Sequence, residues 1–150
     1  MATKIGMVVV LIAAIAVIAF WKSSGSETPA APVSGQSFFS IDDGRTWFTA
    51  PSTNVPPFEH EGKPAYQVFV WTEDGGKTKF VSHLLRYTPE GQKRMREQGG
   101  SALPGGLPAF AEIKKPGEAE SAWIPLSSPR AEAVARPKSS GPDYPTPVLP

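Results

Sequence analysis

The residues best suited to chemistry lie in one short run, Ser40-Ile41-Asp42-Asp43-Gly44-Arg45-Thr46-Trp47. An aspartate between a serine and a glycine at this spacing can turn its carboxylate back on its own loop and accept backbone N–H groups. The glycine supplies the positive φ that such a loop needs. Trp47 is then placed to pack beneath the turn. The chemistry on offer is structural, a carboxylate fastening a hairpin, with Ser40, Asp42, Gly44, Thr46 and Trp47 as its working residues. Catalytic equipment elsewhere is sparse. The two histidines are His60 and His83. Glu59-His60-Glu61 could contribute to a metal site, but no second histidine stands at ligand spacing, and a solvated, proline-flanked loop is the simpler reading. His83 alternates within an apolar run and reads as a rim residue. No serine sits in a nucleophile-elbow context, and no phosphate loop or dinucleotide fingerprint is present. The sequence therefore supplies no catalytic, cofactor-binding or metal-binding residue.

At every defined position the run matches Ser/Thr-x-Asp-x-Gly-x-Thr-Trp, and it resembles the Asp-box hairpin. That hairpin recurs in sialidases and related propellers, where it is structural and lies away from the catalytic residues. A partial echo follows at Thr72-Glu73-Asp74-Gly75-Gly76-Lys77-Thr78-Lys79, with Lys79 where tryptophan is expected. Two hairpins do not make a propeller, which needs about four blades or more of four strands each. No sialidase residue is carried over.

The elements that must position these residues are short strands. Phe38 to Ile41 and Thr46 to Phe48 flank Asp42-Asp43-Gly44, and an aspartate-glycine turn between such runs signals a hairpin. Ala65 to Thr72 is rich in β-formers on both faces and reads as a central strand. Glu73 to Gly76 turns the chain, and Thr78 to Tyr87 returns. Thr88-Pro89-Glu90 is a helix start, with threonine as N-cap and proline at the first helical position; the helix should run to about Gln98 and stop at Gly99-Gly100. Met95, one turn beyond Gly91, gives it a narrow apolar face. Lys93, Arg94 and Arg96, flanked by Glu90 and Glu97, read as its solvated side. A glycine- and proline-rich loop over residues 101–108 leads to a strand at Ala109 to Lys114, a turn at Pro116-Gly117 and a last weak hairpin at Trp123-Ile124. The predicted fold class is α+β, mainly β: a small twisted antiparallel sheet of five or six strands with one short helix, over residues 37–126. Trp47, Phe58, Tyr66, Phe69, Trp71, Phe80, Phe110 and Trp123 are expected to supply much of its core.

Flanking this domain are segments of different character. After a short N-terminal tail of residues 1–4, Ile5 to Trp21 contains no charged or polar side chain other than the indole of Trp21. It is long enough, at the lower limit, for a transmembrane helix, and Trp21 and Lys22 end it as an interfacial anchor. A cleaved signal would have a shorter apolar region and a small-x-small site, and Pro32 spoils the candidate at Pro29-Ala30-Ala31. A pilin-like helix would carry a glutamate near Leu11, where no acid lies. Residues 22–36 read as a flexible linker, and residues 127–150 as a proline-rich disordered tail. The short leading tail favours an extracytoplasmic domain. Fifteen Lys and Arg balance fourteen Asp and Glu, so the domain has no electrostatic reason to bind nucleic acid. The chain has no cysteine, which removes disulfides, thiolate zinc sites and cysteine nucleophiles together.

Across about Phe38 to Trp123 the chain resembles small membrane-anchored proteins of planctomycete-type bacteria. The resemblance rests on Asp42 to Phe48, on Pro56-Pro57-Phe58 with Gly62 to Ala65, on Arg86 to Glu90, and on Lys114 to Gly117 with Trp123. It implies a location and no mechanism. The expected function is a single-pass, membrane-tethered, non-catalytic module of the cell envelope, bound to the lipid bilayer through residues 5–21. Its role would be structural, or the binding of an envelope protein or polymer. The rival is a small metal-dependent or hydrolase-like enzyme using Glu59, His60 and Asp42 or Asp43, which requires those side chains to converge in one pocket.

Overall fold

In the computed structural model, the strand Lys63–Thr72 (β4) is the axis around which the rest of the sheet is ordered. The structure describes residues 35–98, 109–141 and 143–150. Residues 5–21, expected to span a membrane, lie outside them, as do residues 22–34 of the expected linker and the loop expected over residues 101–108. Among the described residues no helix is long and apolar enough to cross a membrane.

Gln36–Ser40 (β1) and Phe48–Pro51 (β2) form the first hairpin, and Gln36, expected in the linker, already pairs with Pro51. Phe58–His60 (β3) turns into β4 through Glu61 and Gly62, whose φ angles of 51° and 75° make the primed two-residue turn that suits the twist of a hairpin. Lys79–Tyr87 (β5), Ala111–Lys114 (β6) and Ile124–Pro125 (β7) complete the order β2-β1-β4-β5-β6-β7, and every pairing is antiparallel. The mainly-β antiparallel class is as expected from sequence. Among the described residues the strands number eight rather than five or six, because β3 and a last strand, Thr146–Pro147 (β8), also pair with β4.

The helix Pro89–Glu97 (α1) begins as its sequence dictates. Thr88 is extended, with φ −62° and ψ 158°, and its hydroxyl accepts from the Gly91 N–H at 3.2 Å. Gln98 ends it. The buried face is narrow, Gly91 and Met95 only. Gly91 lets the helix sit close: a Cβ there would lie 2.6 Å from Cβ of Phe110 and 3.2 Å from its carbonyl oxygen.

Two apolar clusters share the sheet. Adjacent strand residues point to opposite faces, and Leu84 and Leu85 divide accordingly. Leu85 belongs with Tyr87, Met95, Ile113 and Ala131; Leu84 belongs with Val68, Val70 and Trp123. The expectation of an aromatic core needs correction. The largest fully buried side chains are Phe39, Leu84 and Ile113. Of the eight aromatics named from sequence, Trp123 alone is buried, while the other seven are half-buried at the cluster margins. Phe39 is the one ring among the largest fully buried side chains, and beside it the centre is filled by aliphatics such as Leu84 and Ile113, which leave no polar atom to satisfy.

The expectation of a disordered tail over residues 127–150 also fails. Ala131–Ala135 (α2) packs Ala131 into the first cluster beside half-buried Val134 and Ala135. Ser140 then donates to Glu73 from both its N–H and its hydroxyl at 2.7 Å. Thr146 and Pro147 pair with Thr72 and Trp71, and the Val148 N–H donates to the Val70 carbonyl at 2.8 Å. The few apolar residues between the prolines suffice because the sheet offers a surface and an open edge to receive them.

Candidate functional site

In the first hairpin loop the Asp42 carboxylate accepts from the Thr46 N–H at 2.9 Å, the Thr46 hydroxyl at 2.6 Å and the Ser40 hydroxyl at 2.8 Å. The Ser40 oxygen itself accepts from the Gly44 N–H at 2.9 Å, with its side chain fully buried at the end of β1. The Thr46 hydroxyl is the main reason that the Asp42 carboxyl is held down to about 2. Burial opposes it, and the Thr46 N–H, the Ser40 hydroxyl and the Arg45 N–H add to it. Gly44, at φ 81°, brings the loop against Val81 and Pro116, where a Cβ would lie 3.3 Å from Val81. Half-buried Trp47 packs against the cluster of Val68, Val70, Leu84 and Trp123. Of the five residues singled out from sequence, Ser40, Asp42, Gly44 and Thr46 thus share one bonded turn, and Trp47 follows it into the apolar cluster.

The partial echo builds the same turn between β4 and β5. Thr72 donates to Asp74 at 3.0 Å and accepts from the Gly76 N–H at 2.9 Å, and the Thr78 N–H donates to Asp74 at 2.7 Å. Hydrogen bonding to Thr78, its N–H first, lowers the Asp74 carboxyl. The bonds are made by Thr72, Asp74, Gly76 and Thr78, the positions the echo keeps; the tryptophan position is not needed for them.

Asp43, an undefined position of the motif, has a role that sequence reasoning missed. It adopts φ 63° and points out of the loop. There it accepts from the ammonium of Lys114 at 2.7 Å and from the Gly117 N–H. Lys114 is 5% exposed at the end of β6 and also donates to the Glu118 carbonyl at 2.8 Å. A polar network continues from it. The Lys114 ammonium lies 5.7 Å from the centre of the Trp123 ring, and the Arg86 guanidinium lies over the same ring at 4.4 Å. Arg86 bonds Glu112, its cross-strand neighbour, at 2.8 Å, and also Glu120. Trp123 donates to Glu120 at 3.1 Å. A lysine closing the run Ala-Glu-Ile-Lys was the available signal, since a buried strand lysine demands an acidic partner.

The remaining chemistry-bearing residues go elsewhere. Glu59 is exposed on β3, and the His60 ring stacks on Phe48 with centroids 3.9 Å apart. Neither histidine has the setting expected for it: His60 ends a strand instead of lying in a loop, and His83 is buried instead of lying at the rim. A β-bulge in β5 accounts for His83. Val68 pairs with Leu84 and Val70 with Val81, so Phe69 alone faces both Ser82 and His83. This shifts the alternation and buries four consecutive residues, Ser82 to Leu85. The His83 ring stacks on Phe69 at 4.3 Å, its Nδ1 lies 2.7 Å from the Ser82 hydroxyl, and the Ala135 carbonyl accepts from it. Burial first, and then the Lys115 charge, push its pKa down to about 4. A hydroxyl beside an imidazole is the geometry of an activated nucleophile. Here, however, Trp71 Nε1 donates to the same oxygen at 3.0 Å, and Ser82 is 2% exposed. The pair holds the bulge and offers no approach to a substrate.

Among the described residues no three His, Asp or Glu side chains converge as a metal site. Comparison with protein-family models, with curated proteins and with solved structures finds no match for this chain.

Proposed function

We propose that this chain is a membrane-tethered, non-catalytic module of the cell envelope. Residues 5–21 anchor it in the bilayer as a single-pass segment, and the sheet domain stands on the extracytoplasmic side. Its role there is structural, or the binding of an envelope protein or polymer, and its balanced charge favours neither DNA nor RNA. One observation supports the non-catalytic reading above the others. The loop aspartates that acid–base or metal chemistry could draw on are engaged structurally, Asp42 by Thr46 and Ser40, Asp74 by Thr78 and Thr72, while Asp43 fastens its loop to Lys114, and Glu59 stands exposed on β3. Groups held in this way make a rigid scaffold, and in Asp42 and Asp74 the same bonds lower the carboxyl pKa further from neutral pH.

Carbonate extraction and protease accessibility on native membranes test the tether. The full-length chain should stay in the washed pellet and be cleaved only from the outer side. A chain released by carbonate, or a mature chain beginning between Lys22 and Val33, would sink it. Metal analysis of the purified protein tests the other half. Stoichiometric metal that is lost in His60→Gln would favour the enzyme reading instead.

A further inference from the structure

Beside the first hairpin lies a cavity of about 400 Å³. Phe80, Val81 and Pro116 give it an apolar wall, and Lys115, Lys138 and Glu118 supply its charge. Adjacent residues Lys114 and Lys115 illustrate the contrast. Lys114 is neutralised by Asp43 at 2.7 Å. Lys115 is half-buried, and the bond recorded for its ammonium goes to a neutral partner, the Arg136 carbonyl at 2.8 Å. Among the described residues no carboxylate lies within ion-pair distance of Lys115 or Lys138. The Lys115 ammonium is held below its usual pKa by burial and then by the positive charge of Lys138, which outweighs the attraction of Glu118. Two cations that repel each other beside an apolar wall are stabilised by an anion between them, and water excluded by that wall strengthens the attraction.

We propose that this cavity binds an oxyanion on a short apolar stem, a carboxylate or a phosphate monoester, with the anion bridging Lys115 and Lys138 and the stem lying on Phe80, Val81 and Pro116. The proposal rests on the binding role given above and names a ligand class for it. Its test does not involve the membrane, so each can fail without the other. The bond from Lys115 to the Arg136 carbonyl fixes one edge of the site, and Lys138, exposed on the same segment, supplies the second charge. Ser82 also borders the cavity, but its hydroxyl is buried and engaged by Trp71 and His83, so the two ammonium groups supply the recognition.

Full-length protein in detergent would be titrated calorimetrically with phenyl phosphate, benzoate, inorganic phosphate and benzyl alcohol. Phenyl phosphate or benzoate should bind saturably, inorganic phosphate more weakly, and benzyl alcohol not measurably. Lys138→Ala should weaken binding by about tenfold, the loss of roughly one charge-assisted contact, while Lys138→Arg should retain it. Lys115→Ala should weaken it similarly, with circular dichroism to show that the fold survives loss of the Arg136 contact. Unchanged affinity in Lys138→Ala, equal binding of benzyl alcohol, or no binding of either aromatic anion overturns the site. Inorganic phosphate binding as tightly as phenyl phosphate overturns the apolar stem.

Discussion

Replacing His83 with glutamine should remove a pH dependence built into the β5 bulge. His83 is 8% exposed, stacked on Phe69 and faced by Ser82, the Ala135 carbonyl and the charge of Lys115. Its pKa falls from 6.5 to about 4 on folding. The unfolded chain therefore binds the proton more readily than the folded one. Stability from this residue is fully present above about pH 6.5 and is lost as pH falls towards about 4. A shift of this size corresponds to about 3 kcal/mol at most, at 1.36 kcal/mol per pKa unit, a large share of the roughly 5–15 kcal/mol that holds a typical domain together. Urea unfolding of residues 35–150, parent and variant, at several pH values between 7.5 and 4 would measure it. The parent should lose more stability than His83→Gln across that range, even though the variant starts lower at pH 7.5 for want of the ring contact with Phe69. Carboxylates that titrate near pH 4 affect both proteins alike and cancel in the difference. Identical slopes would refute the reasoning, because they would mean that His83 is hydrated in the folded state.

Three further outcomes are expected. Asp42→Ala should cost about 1–2 kcal/mol at pH 7, less than for buried charged bonds because the turn is partly exposed. Since the Asp42 pKa is lowered on folding, the parent's advantage should vanish as pH falls from about 4 towards about 2, which melts at both ends of that window would show. Asp43→Ala leaves a buried ammonium with the Glu118 carbonyl and the Trp123 ring but no anion, and should cost about 1–3 kcal/mol, less than for a fully buried pair because Asp43 is partly exposed; adding Lys114→Met should recover much of the loss in thermal melts, and a double variant no better than the single would count against a buried ion pair. Deleting residues 143–150 uncovers the β4 edge at Trp71 and Thr72 and removes the packing of Val148, so the melting temperature should drop by several degrees; an unchanged melt would return this segment to the disordered tail expected from its composition.

Much of the fold was legible because its signals are local. The Thr88-Pro89 start of α1 requires only neighbouring residues, and so do the turn chemistry of Asp42 and Gly44 and the same pattern at Thr72 to Thr78. Chain-neighbour hydrogen bonds can be read from spacing alone. What the sequence could not reveal depends on residues brought together from far apart. The β5 bulge exists because Phe69 must face Ser82 and His83 at once, and nothing in β5 alone announces that its alternation breaks there. The partnership of Asp43 with Lys114 spans seventy-one positions. The burial of Ala131 and the pairing of Thr146 became favourable only after β4, β5 and β6 had formed a surface and an edge to receive them. By itself the sequence determined the turns, the strand-rich class and the helix with its cap. The tertiary structure decided which charges are neutralised, which histidine is buried and whether the proline-rich end folds, because burial and charge pairing depend on distances that only packing sets.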